Sequence, residues 1–207
     1  ADTKEIQRFD SNATFNDVTL EQADDKGKLW WKVKAKQASY SRDQKNAVIE
    51  GPEGELYQDG KPVFQIAAQK GEVKGDGKSI LLKGKIIATD IRDGTILKGD
   101  ELEWRPTEDI LLVRNNVTGV HKQMQFSAQE GRVLTRARTM ELFRQIVASA
   151  KSPELQIRTE HLTWNVQGET VVADRPVQID QYKNKVLTDR GSAEKANVDL
   201  KAKTVNL

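Results

Sequence analysis

The segment Leu29-Trp30-Trp31-Lys32-Val33-Lys34-Ala35-Lys36 alternates without a break. Leu29, Trp31, Val33 and Ala35 fall on one side of an extended chain; Trp30, Lys32, Lys34 and Lys36 fall on the other. Successive side chains of a β-strand point to opposite faces, so this pattern predicts a strand with one face buried and one in water. The alternation runs into a small residue, Ala35, and that ending recurs. Val33-Lys34-Ala35, Ile66-Ala67-Ala68, Leu97-Lys98-Gly99, Phe126-Ser127-Ala128, Ile157-Arg158-Thr159 and Leu187-Thr188-Asp189 form a series of anchors. Their third residues lie 33, 31, 29, 31 and 30 positions apart. A period of about 30 residues marks stacked supersecondary units, none of which can bury its apolar face alone.

The same parity extends outward from the anchors. Phe64, Ile66 and Ala68 share a face, as do Ile80, Leu82, Gly84 and Ile86, and then Leu97, Gly99, Leu102 and Trp104. Leu111, Val113 and Val117 follow, and later Val171, Ala173, Val177 and Ile179. Gly51-Pro52-Glu53-Gly54, Asp59-Gly60-Lys61-Pro62, Gly75-Asp76-Gly77-Lys78 and Asp93-Gly94 carry turn chemistry between these runs. Each repeat therefore contributes two strands, and the chain is expected to be all-β, with about a dozen antiparallel strands in one domain spanning 1–207. One segment is ambiguous. Across Thr139 to Ala150, Met140, Phe143, Ile146, Val147 and Ala150 also fit helical spacing, with Pro153 closing the segment. The repeat register aligns Met140, Leu142 and Ile146 with Ile80, Leu82 and Ile86, which selects a strand.

The inward face mixes large residues with Ala35, Ala68, Gly84, Gly99 and Ala128. Two readings stay open: small residues let two walls approach closely, or they leave room for a ligand. Six strands per wall, about 4.8 Å apart, make a stack roughly 29 Å long, a scale that suits acyl chains.

Composition narrows the function classes. The chain has 207 residues, 37% hydrophobic and 31% charged, as expected for strands with one wet face. Lys and Arg number 33 against 31 Asp and Glu, a net charge of +2 without a concentrated basic face, so no nucleic-acid partner is expected. Cysteine is absent, which removes disulfides, thiolate zinc sites and thiol nucleophiles, and neither metal nor cofactor is expected. No stretch approaches 18 apolar residues, the length a membrane-spanning helix needs. His121 and His161 stand in dissimilar contexts and read as surface or satisfied histidines. No GxSxG, HExxH or phosphate-cradling loop occurs. Nor do paired carboxylates fall on an inward face, as a β-groove glycosidase would need. The chain is therefore not expected to be an enzyme. Arg132, Arg136, Arg138 and Arg144 form a basic group that reads as a solvated edge ahead of a phosphate site.

The run Val18-Thr19-Leu20, then Gly27 through Ala35, then Ala38-Ser39-Tyr40, resembles the start of the periplasmic domain in the LptC family of lipopolysaccharide-export proteins. Gly54-Glu55-Leu56-Tyr57, Ile66-Ala67-Ala68-Gln69-Lys70-Gly71, Ile80 through Ile86, Asp93-Gly94 and Leu102-Glu103-Trp104 continue the match in order and spacing. The resemblance covers residues 15–120 best; 121–207 look like further, degenerate units of the related OstA-like repeat. It implies an elongated, open β-jellyroll, V-shaped in section, that holds lipopolysaccharide acyl chains inside. It also implies a periplasmic location and an inner-membrane anchor, an N-terminal helix that this sequence does not include. The implied partners are an inner-membrane ABC transporter and a further β-jellyroll export protein that joins by strand-edge association; a homodimer is a further possibility. On this reading Trp31, Val33, Phe64, Ile66, Leu82, Ile86, Leu102, Phe126 and Leu142 line the lipid-binding groove. Phe15, Val18 and Leu20 form one partner edge, Val198 and Leu200 the other. A close-packed structural protein, or a binder of another lipid, is the alternative.

Overall fold

The structure, a computed structural model, describes residues 13–75 and 77–207. These residues are almost entirely strand: β1 (Ala13–Ala23), β2 (Leu29–Tyr40), β3 (Ala47–Glu50), β4 (Glu53–Gln58), β5 (Lys61–Ala67), β6 (Lys70–Val73), β7 (Ile80–Asp90), β8 (Ile96–Arg105), β9 (Ile110–Val120), β10 (Met124–Leu134), β11 (Thr139–Lys151), β12 (Glu154–Asn165), β13 (Thr170–Ala173), β14 (Val177–Lys183), β15 (Val186–Ala193), β16 (Ala196–Asp199) and β17 (Thr204–Asn206). The ladders between them are antiparallel. The helical alternative for residues 139–150 is gone: β11 extends straight through it, with Leu142 buried and its neighbour Phe143 on the outer side.

The chain forms two compact units, one of the described residues up to Gly94 with Asp100–Leu111, the other of Thr95–Gly99 with Leu112–Leu207. Each unit, by itself, has a two-walled construction. In the first unit β2 is paired with β1 over its length, but on its other side it changes partners. Trp31–Lys34 face β4, whereas Gln37–Tyr40 face β3. β7 does the same, pairing with β6 through Ile80–Lys83 and with β5 through Ile87–Asp90. The strands thus turn a corner, and the sheet folds into two walls that share an apolar interior. Trp31 Nε1 donates to Gly77 O at 3.1 Å and Trp104 Nε1 donates to Trp30 O at 2.9 Å, tying β2 to other parts of this unit.

The corner explains the repeat. Ala35 and Ala68 stand at it in the first unit, and Gly99, Ala128 and Thr159 in the second. At the inside of a fold the walls converge and leave no room for a large side chain. The strands opposite carry a left-handed backbone there: Gly84 and Lys85 at φ 81° and 47°, Asn115 and Asn116 at 64° and 52°, Arg144 and Gln145 at 64° and 50°. Across β11–β12 the register jumps from Phe143↔His161 to Ile146↔Thr159, so two residues oppose one. This is a β-bulge, which bends and twists the strand that bears it. The first unit's corner is further held by Gly51 N donating to Gln69 O at 2.7 Å, Ala68 N to Pro52 O at 3.1 Å and Gln69 N to Gly84 O at 2.9 Å.

Gly51-Pro52, read from the sequence as turn chemistry, is the corner that separates β3 from β4, where Pro lacks the N–H a continuous ladder requires. One sequence expectation is corrected by this geometry. The sixth anchor, Leu187-Thr188-Asp189, lies within the exposed strand β15; the chain leaves that strand only after Ala193. Four corner crossings are interrupted, at β3/β4, β5/β6, β13/β14 and β15/β16, which is how a dozen crossings plus the short β17 come to be seventeen strands. Asp59-Gly60 does form a two-residue hairpin, both at positive φ, as the type I′ turn demands. The Gly75-Asp76-Gly77 turn includes Asp76, which lies outside the described residues.

Gly54 shows how tightly one wall is built. A Cβ there would lie 2.0 Å from Lys32 O and 2.7 Å from Val33 Cα, both backbone atoms of the paired strand. Gly54→Ala is expected to destabilise the protein by roughly 2–4 kcal/mol, visible as a lowered melting temperature in circular dichroism. An unchanged melting temperature contradicts the β2–β4 register.

Candidate functional site

The interior between the walls is the candidate site, and alternation places its residues. Trp31 and Val33 from β2, Phe64 and Ile66 from β5, and Leu82 and Ile86 from β7 face inward with Leu102 from β8. In the second unit Phe126 and Leu142 do the same on β10 and β11. All nine are buried, with Val33, Leu82, Leu102 and Leu142 at 0% exposure. The side of the strand read from the sequence is the side observed, and the lining is continuous within each unit. Leu56, Ile80, Ala88 and Trp104 complete it in the first unit; Leu111 lies beside them, and Ile157, Leu162, Trp164 and Val177 complete it in the second. The interior is packed: no wall residue among the nine stands free for contact while the walls touch. An acid at Leu82 would therefore bury an unpaired carboxylate and test folding rather than binding.

The partner edges are placed less well. β1 is paired with β2 and exposed along most of its length, with Phe15 at 49% exposure and its ring edge-on to Tyr40 at 5.9 Å. Val18 is half-buried and Leu20 faces the core, so of the three only Phe15 presents a side chain to a partner. Val198 and Leu200 are not at an edge. β16 is flanked by β13 and β17, both side chains are buried, and Leu200 donates its N–H to Glu169 O. The terminal strand beyond β16 is β17, which is laddered to β16. β15, laddered to β14, is exposed as well, with Val186 and Leu187 in solvent.

The polar clusters tie neighbouring strands and loops together. His161 Nδ1 lies 2.7 Å from Asp174 Oδ1 and its Nε2 lies 3.2 Å from Glu141 Oε2, so the ring ties β11 and β12 to the chain after β13. Phe143 packs on it at 5.2 Å. Burial disfavours the imidazolium, but the hydrogen bonds and charges of Asp174 and Glu141 outweigh that and raise its pKa above the ordinary value. The same contact lowers Asp174. In the arginine group, Arg132 lies over the Phe143 ring at 5.4 Å and Arg144 reaches Glu130 at 4.0 Å. These are fixings of the outer surface. Among the described residues no group of three or more His, Asp or Glu is arranged to hold a metal ion.

Two features escaped the sequence reading. The left-handed pairs at the corners carry only a faint signal, the Asn115-Asn116 dipeptide, since Asn tolerates that backbone better than most residues. The contacts across the turn-lined rim of the second unit carry none. There Gln123 Nε2 donates to Glu169 Oε1 at 2.7 Å, and His121 sits edge-on to Trp164 at 5.0 Å.

In each unit, antiparallel strands folded about a corner over an apolar interior define a class of two-walled β-protein. The family model described as lipopolysaccharide-assembly, LptC-related, matches residues 2–118, more than half of the chain, and the chain belongs to that family. A comparison with curated proteins found no match. Among solved structures, the chain is distantly similar to LptH, the LptA homologous periplasmic component of the conserved lipopolysaccharide transport device from Pseudomonas aeruginosa. The identity is 12% and the TM-score 0.45, over 62% of this chain and 83% of that one.

The raised His161 pKa has a signed consequence. Its contribution to stability is fully present below the unfolded histidine value of about 6.5 and is lost as pH rises through the folded value. In urea denaturation the midpoint is expected to fall as pH rises above the ordinary histidine value of about 6.5, and His161→Gln to flatten that fall. Equal slopes for the two proteins would show that the His161 cluster is not held together in solution.

Proposed function

We propose that this protein works in lipopolysaccharide transport, holding acyl chains between its two walls. The observation that carries this reading is the apolar lining itself, renewed by each repeat and uninterrupted by any catalytic constellation among the described residues. Family membership supports the same cargo. Burial of each acyl methylene contributes about 0.8 kcal/mol, so a deep, unique pocket for several chains would scarcely release them. A seam of similar positions lets a chain move with little change in energy.

The finer steps belong to the same proposal. The protein acts in the periplasm, tethered by an N-terminal helix to the inner membrane. It accepts lipid from an ATP-driven ABC transporter there, and passes it towards the outer membrane through a further β-jellyroll protein that adds to an exposed strand. β1 and β15 are the strands suited to that addition, and a second copy of the chain would use the same backbone edges. No catalytic step is involved. Because the interior is packed, loading requires the walls to part about the corner, and the entering chains then pack against both walls in place of the opposite side chains.

That packing also favours a second reading, a scaffold that carries nothing. Photo-leucine substituted throughout the chain separates the two, because Leu81 and Leu82 are adjacent residues on opposite faces of β7. Irradiation with lipopolysaccharide is expected to give adducts at Leu82 and Leu142 and none at Leu81. Adducts confined to outward leucines, or none from a folded protein, would establish the scaffold instead.

A further inference from the structure

We propose that a cleft at the turn-lined rim of the second unit is an entry subsite, taking one acyl chain of an amphiphile with an anionic head group. The inference rests on the transport reading and locates where cargo first engages. The cleft, about 720 Å³, lies where the turns β9–β10, β11–β12 and β14–β15 converge. Its volume is in the range of small-molecule sites.

Its floor is continuous with the core. Met124, Ala150 and Leu155 line the cleft and are also core residues, buried to 2%, 6% and 2% exposure. Val120, at 53% exposure, adds an isopropyl group that stands in water. A chain laid on Val120 therefore touches the outer atoms of side chains whose inner atoms belong to the wall packing. Lys151 and Lys185 border the same cleft. They outnumber its one carboxylate, Glu154, which accepts the Lys185 N–H at 3.1 Å. An apolar floor bordered by two ammonium groups is complementary to an acyl chain ending in phosphate or carboxylate.

The rim beside the cleft is also lightly fastened. In the first unit the indoles of Trp31 and Trp104 both donate to backbone carbonyls. In the second, the buried Trp164 Nε1 has no acceptor within the protein and its ring rests on His121, a residue of the cleft. The Gln123–Glu169 hydrogen bond crosses the rim there, a contact of the kind whose net worth is about 1 kcal/mol. Parting the walls at this point breaks that hydrogen bond and the His121–Trp164 contact, and it exposes a donor that a polar group of the cargo can satisfy.

The test uses the full chain, with dodecyl phosphate and dodecyl maltoside as probes. K151E/K185E is expected to weaken dodecyl phosphate about tenfold and to leave dodecyl maltoside within about twofold. V120D, at a position exposed enough to tolerate the change, is expected to weaken both probes about tenfold. Near-ultraviolet circular dichroism checks that the walls remain packed in each variant. If neither variant alters binding while lipopolysaccharide still labels Leu82 and Leu142, the entry subsite is wrong and the transport reading stands. If no probe binds and no leucine is labelled, both fall.

Discussion

Everything in this fold depends on how an antiparallel sheet is made to turn through a sharp corner without losing its hydrogen bonds. Straight strands cannot do it. The chain solves the problem by placing a small residue on one strand against a left-handed pair, or a Gly-Pro break, on the next. Left-handed backbone in a residue other than glycine costs on the order of 1–2 kcal/mol. That cost recurs at Asn115, Asn116, Arg144 and Gln145, and it is offset because each bulge lets two flanking strand halves bury their apolar faces against each other. Remove the bulge and the two wall segments no longer fold onto each other, which leaves their inward faces in water.

The closed interior follows from the corner, and so does its conditional nature. Walls joined along one side only are held on the other by what meets at the rim. In the first unit two tryptophan indoles bond to carbonyls; in the second a glutamine–glutamate bond and a histidine–tryptophan contact serve.

The strands and their parity were legible because alternation is enforced by burial. Trp31, Val33 and Ala35 read correctly for the same reason that Leu142 lies inside and Phe143 outside, although local spacing alone left that segment undecided. The small-residue anchors were visible too, but their meaning was not: Ala35, Ala68 and Ala128 mark the fold line, which a periodicity count cannot distinguish from space for a ligand. Edges were the least legible. Val198 is near the end of the chain yet lies in an interior strand, because pairing passes from β13 to β16 across the sequence of β14 and β15. Family likeness carried the cargo, and no arrangement of spacing could have supplied it.

The spacing of the left-handed pairs has a consequence for how such proteins change over generations. Gly84, Asn115 and Arg144 begin corner pairs 31 and 29 residues apart. A short insertion in a turn lengthens one wall segment and leaves the corner intact, whereas one inside a corner misaligns every strand beyond it. Lineages can therefore lengthen or shorten the molecule by duplicating or deleting whole units in the gene, while drift in length is tolerated at the turns alone. Capacity in this architecture is inherited in steps.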